Sequence, residues 1–267
     1  MQHPDPRDCY SVRWSSEVEI FQKLFEPLTY HAPGSESSTQ RALEATAGLA
    51  DQPQILDIGC GVGRQTLDLA RLTPGHVTAI DLNAAAVETL ARLVGNEGLS
   101  HRVAAVRGSM SELCFADESF DLIWSEGAIY CMGFADGLSA WKRYLRPGGF
   151  LAVTELTWLS ESPPRATRMY WRKQYPGMVN LSDNLAAIDR AGYQQIGDFA
   201  LPESDWWDRF YRDLSAEIVE FKRRHPGSEG VEYEGQALIE QLEAEIHTLR
   251  ECQGSYSYVF YIMRKPA

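Results

Sequence analysis

The sequence predicts a doubly wound α/β fold: a seven-stranded, mostly parallel sheet whose last strand runs antiparallel, with a helical insertion. Three observations carry this expectation. From Ile55 onward, short apolar runs alternate with stretches of helical periodicity. The first run, Ile55-Leu-Asp-Ile-Gly-Cys-Gly-Val-Gly63, enters a helical pattern through three alternating glycines. Near the end of the chain, Gly192–Leu201 and Ser255–Met263 supply two further strands, separated by more residues than a hairpin needs.

Residues 1–16 read as irregular; Val18, Phe21, Leu24 and Phe25 then share a helical face until Pro27 stops the pattern. The loop His31-Ala-Pro-Gly34-Ser35-Glu-Ser-Ser38-Thr39 offers serine caps to a helix near Gln40–Leu49 and is placed to act as a lid. Strand 55–58, helix 63–72, strand 76–81, helix 84–94, strands 103–107 and 120–125, helix 134–145 and strand 149–156 follow. In the 134–145 helix, Phe134, Leu138, Trp141 and Leu145 form one apolar stripe, read as core. The remainder is rich in aromatic residues, with helices expected over 164–175, 181–191, 204–224 and 233–250. The chain divides into an N-terminal helix and lid (1–34), a ligand-binding core (35–156), and the rest of the sheet with a helical cap (157–267), all in one compact domain.

Composition narrows the function. A net charge of −12 repels phosphate backbones, so nucleic acid is a poor partner. Five cysteines, odd in number and without C-x-x-C spacing, and six histidines away from ligand spacing predict reduced thiols and no metal. No signal-like segment and no run of eighteen apolar residues occurs, which points to the cytoplasm and away from the membrane. Oligomeric state leaves no trace in the sequence.

The glycine turn carries the chemistry. Side chains at Gly59 and Gly61 would keep a ligand from the main chain and from the next helix N-terminus. The spacing Asp57-x-Gly59-x-Gly61-x-Gly63 differs from the dinucleotide pattern G-x-G-x-x-G, and the leading carboxylate suits a cationic ligand. Asp81, closing the second apolar run, is fit to accept hydrogen bonds from the hydroxyls of a ribose.

With Phe120-Asp-Leu-Ile-Trp-Ser125 and Leu145-Arg-Pro-Gly-Gly-Phe150 added in the same order, residues 35–156 resemble the class I S-adenosylmethionine-dependent methyltransferases, which have a Rossmann-like fold. Ser125-Glu-Gly-Ala-Ile-Tyr130 is similar to their bacterial small-molecule subgroup, type 11 or ubiquinone-biosynthesis-like. The resemblance implies S-adenosyl-L-methionine as cofactor and a small-molecule methyl acceptor as partner. It also argues against nucleic acid, because the Asn/Asp-Pro-Pro-aromatic turn of nucleic-acid amino methyltransferases is absent after Ser125.

The resemblance assigns Asp57 to the methionine ammonium, with capping of the next loop as the alternative, and the main chain of Gly59, Cys60 and Gly61 to close approach. Gln65 and Thr66 are expected near the methionine tail, Asp81 on the ribose and Leu82 on the adenine face. Ser109 stands where an aspartate commonly accepts from the adenine amino group; it and the Met110 amide are candidates for adenine contacts, against a helix cap. Ser125 reaches the same strand edge, while Glu126, Tyr130 and Glu155 are the candidate catalytic residues, the two acids being expected to share a crevice and raise one another. Trp158, Trp171, Trp206, Trp207 and Tyr211 either wall the acceptor pocket or fill the core. Acids beside aromatic faces lean the acceptor toward nitrogen. A binding protein without turnover and an NAD-type oxidoreductase are the alternatives.

Overall fold

The computed structural model describes residues 24–25, 27–224, 236–252 and 254–267. Of the expected N-terminal helix, Val18 and Phe21 lie outside the described residues; Leu24 and Phe25 are helical and buried. Helix α1 (Glu36–Glu44) is followed by β1 (Gln54–Ile58), α2 (Arg64–Leu72), β2 (His76–Asp81), α3 (Ala84–Asn96), β3 (Val103–Arg107) and β4 (Phe120–Ser125). Then come α4 (Phe134–Trp141), β5 (Leu145–Trp158), α5 (Arg165–Gln174), α6 (Leu181–Arg190) and β6 (Gln194–Ala200). The chain ends with α7 (Glu203–Trp206), α8 (Arg212–Arg224), α9 (Gln236–Glu251) and β7 (Tyr256–Arg264).

The seven strands form one sheet in the order β3-β2-β1-β4-β5-β7-β6. Pairings among β1 to β5 are parallel, and β7 runs antiparallel between β5 and β6. The order reverses between β1 and β4, the position at which open α/β sheets leave a crevice beyond their strand ends. Period-two alternation explains why these strands read as unbroken apolar runs. Ile55, Leu122, Trp124, Phe150 and Ala152 fill one face, while Leu56, Ile58, Ile123, Leu151 and Val153 fill the other. Helices cover both.

Four departures from the expected elements stand out. Helix α1 starts four residues before Gln40, because Ser35 is extended and its hydroxyl caps the Ser38 amide at 3.2 Å. The 134–145 helix stops at Trp141 and tightens into a 3-10 turn, though Phe134, Leu138, Trp141 and Leu145 are all buried as expected. Strand β5 starts at Leu145, pairing with Phe120 before a register shift, and continues to Trp158. The expected 204–224 helix is interrupted by a π turn over Trp207–Tyr211, next to the stacked rings of Trp206 and Tyr211. No helix among the described residues is long and apolar enough to cross a membrane.

Candidate active site

The turn between β1 and α2 is built as the glycines require. Gly59, Gly61 and Gly63 have φ of 73°, 53° and 87°, a region that L side chains rarely occupy. A Cβ on Gly59 would meet Ala128 Cβ at 2.4 Å, and one on Gly63 would meet Leu90 Cδ1 at 2.1 Å. At Gly61 a Cβ would face open space. Gly59 and Gly63 are therefore held by packing, while Gly61 faces an open recess that Gly59 also lines.

That opening is a recess of about 110 Å³ lined by loop 30–35, Thr39, residues 59–62, Arg64, Gln65, Asp68, Glu126 and Gly127. Below it, Asp57 is 1% exposed, and its Oδ2 accepts the Thr66 hydroxyl at 2.6 Å while Oδ1 has no partner. Burial, partly offset by the Thr66 bond, pushes this carboxyl up to about 7. An orphan carboxylate oxygen beside the turn fits an ammonium, and the open face of Gly61 fits a ligand lying on the main chain. Asp81 is tied into the same turn: its Oδ2 accepts from the Gly61 amide at 2.9 Å and its Oδ1 from the Asn83 amide at 2.8 Å. Leu82, beside it, is 46% exposed, an apolar surface available to a flat ring.

The structure brings Gly59, Cys60, Gly61, Gln65 and Glu126 onto one recess, with Asp57, Thr66 and Asp81 connected to the glycine turn. Thr66 does so as a fully buried clamp on Asp57 rather than as a lining group. Ser125, also fully buried, donates its hydroxyl to the Ile58 carbonyl at 2.8 Å, so it ties β4 to β1 and its side chain points away from any ligand duty. Ser109 pairs with Ser111 and accepts from the Ser111 amide in a local turn, with no helix following for it to cap; the Met110 carbonyl accepts from the Trp141 indole.

Glu126 is 5% exposed. Its Oε1 accepts both the Thr39 hydroxyl at 2.9 Å and the Trp124 indole at 2.8 Å, and burial raises it to about 8. Glu155 does not stand at a strand end, as expected, because β5 runs three residues further; it pairs with Val259 and accepts the Tyr175 hydroxyl at 2.6 Å. Burial alone lifts it to about 8, and the charges acting on Glu126 are Asp57 and Asp68. The expected mutual coupling of Glu126 and Glu155 is thus replaced by two independently buried acids. Tyr130 meets Tyr175 edge-on at 6.0 Å and so belongs with Glu155.

The aromatic set packs largely into the core. Trp206 stacks on Tyr211 and Tyr258, Trp171 and Trp158 stand against Tyr256, and Trp207 lies under Arg250. None of these five rings lines the recess. Sequence reasoning gave no site role to Tyr175, and named His31 and Thr39 only within the lid loop and Trp124 only within a strand motif. Among the described residues, no three His, Cys, Asp or Glu side chains gather at metal-binding distance.

Residues 55–149 match the family model described as a methyltransferase domain. A sterol 24-C-methyltransferase of Gibberella zeae is 29% identical over 56% of this chain and 41% of its own length. One from Aspergillus fumigatus is 28% identical over 71% of this chain and 52% of its own. The chain thus spans about half the length of these curated relatives. In fold, it is similar to an S-adenosylmethionine-dependent methyltransferase of Geobacter sulfurreducens solved with S-adenosyl-L-homocysteine. That likeness has a TM-score of 0.75 at 21% identity, covering 92% of this chain and 97% of that one. Residues 55–149 are thus similar to a methyltransferase domain, and the sheet that carries them has the fold of the solved S-adenosylmethionine-dependent methyltransferase.

Proposed function

We propose that this chain transfers the methyl group of S-adenosylmethionine to a small-molecule acceptor held at the recess over the glycine turn. One observation carries the reading: Gly61, left-handed and open-faced, borders a recess whose floor is tied to two strand-end carboxylates, Asp57 and Asp81. When bound, the sulfonium compound supplies an electrophilic methyl group. Asp57 would hold its ammonium, Asp81 its ribose hydroxyls through lone pairs left by the two amides, and Leu82 its adenine face. The 157–254 segment, which carries helices α5 to α9 among its described residues, is the proposed cover for the acceptor.

Nitrogen is the favoured acceptor atom, on the strength of Glu126 and Asp68 at the recess. Carbon is the second reading, favoured by relatives named as C-methyltransferases. Calorimetric titration with S-adenosylmethionine, its demethylated product and NAD tests the cofactor, and methyl-labelled S-adenosylmethionine with a metabolite extract tests turnover. Tight NAD binding without S-adenosylmethionine binding would reverse the reading. Saturable S-adenosylmethionine binding with no label transferred would favour a binding protein without turnover.

A further inference from the structure

We propose that His31 takes the proton that the acceptor loses on methylation, a role that rests on the function proposed above. His31 lines the recess together with Gly59, Gly61 and Glu126. Its Nε2 is shielded from water and has no hydrogen-bond partner. The ring is held from elsewhere: it bonds the Phe25 main chain and stands edge-on to the Phe25 ring at 5.6 Å. A carbonyl can only accept, so the nitrogen bonded there, Nδ1, carries the hydrogen and Nε2 keeps a bare lone pair. A buried lone pair without a donor is costly, and a ligand N–H or O–H would satisfy it.

Glu126, Asp68 and Cys60, which share this recess, leave that role open. Glu126 retains its own proton at neutral pH, since burial raises it to about 8, and its Oε1 already accepts from Thr39 and Trp124. Asp68 faces Arg64 at 3.7 Å and Arg71 at 3.0 Å. Burial raises the Cys60 thiol, which keeps it protonated. His31 is shifted the other way: burial lowers it below 6.5, and the Asp81 charge partly opposes this. Neutral imidazole is the form that accepts a proton, and Asp81 would stabilise the imidazolium that results.

For an amine acceptor, the nitrogen lone pair attacks the methyl carbon. The C–N bond forms as the C–S bond breaks, and sulfur keeps that bonding pair as a neutral thioether. The N–H proton passes to His31 Nε2 and from there to solvent. The acceptor class this implies is a compound bound uncharged, with N–H or O–H at the methylated atom.

His31→Asn retains a donor for the Phe25 carbonyl and removes Nε2. With methyl-labelled S-adenosylmethionine and a metabolite extract, label transfer should fall by about 10²–10⁴-fold. Cofactor affinity by calorimetry should stay within roughly threefold, and free imidazole should restore transfer to His31→Ala. In ¹⁵N-histidine spectra of the full chain, the signal missing from His31→Asn should be a neutral Nδ1–H tautomer at pH 7.5. A charged or Nε2–H ring, unchanged transfer in His31→Asn, or a large loss of cofactor affinity in that variant would overturn this proposal alone. Wild-type protein that binds no S-adenosylmethionine would overturn the proposed function and this role with it.

Discussion

On the proposed function, Asp81 serves the fold and a ligand together. Its carboxylate shapes the glycine turn through the Gly61 amide and orders the start of α3 through the Asn83 amide. Asp81→Asn removes the charge and, since its amide nitrogen cannot accept, one of these two backbone bonds, so cofactor affinity should weaken by at least about 1.5–3 kcal/mol, roughly 10- to 150-fold by calorimetry. Equal affinity would detach Asp81 from the ribose. Asp57 makes a pH-dependent prediction. With burial holding it at about 7, it is mostly protonated at pH 6 and mostly ionised at pH 8. An ammonium prefers the ionised form, so affinity should rise across that interval with proton release, and Asp57→Asn should flatten the profile. Glu126→Gln is the converse case. The native group already carries a proton at pH 7 and accepts two bonds on Oε1, which an amide oxygen reproduces, so label transfer should stay within about threefold. A thousandfold loss would make Glu126 the base instead of His31.

Among the elements, helix α1 connects distant parts of the molecule. Its Thr39 reaches Glu126, and its Ser38 hydroxyl donates to the buried Asp205 at 2.5 Å, while the Gly34 amide just before it bonds the Asp205 carbonyl. Loop 30–35 is thereby fastened at its Gly34 end to the cap helix α7. Removing the hydroxyl with Ser38→Ala leaves a carboxylate that is 3% exposed short of a donor. Urea unfolding should register a loss of about 1–3 kcal/mol, and an unchanged midpoint would show that Asp205 is satisfied by other means. The same contacts explain what could be read from sequence. Strands β1, β2 and β4 were legible because local alternation decides them, and Asp57 and Asp81 because a strand end fixes where they stand. The start of α1 was not, since Ser35, Ser37 and Ser38 are equally good caps by composition and only tertiary contacts choose among them. The site roles of His31, Thr39 and Tyr175 were illegible for a related reason: each residue finds its role across the fold, Thr39 at a separation of 87 residues.

At the scale of the whole molecule, the unusual feature is three carboxyl groups buried along one half of the sheet, Asp57, Glu126 and Glu155. A core chosen only for stability would place apolar residues there. Glu155 isolates the cost, because it lies off the recess and its Oε2 has no partner. In the unfolded chain it titrates near 4.5, whereas burial holds it at about 8 in the fold. Between those values the folded state keeps a proton that the unfolded state has released. Its contribution to stability is therefore fully present below about pH 4.5 and is lost progressively as pH rises to about 8. Glu155→Gln cannot ionise and leaves the Tyr175 hydroxyl an acceptor, so it should resist urea increasingly better than the wild type as pH is raised from 5 to 8. Parallel stability curves for the two proteins would mean that Glu155 is ionised in the fold, with Tyr175 as sufficient compensation.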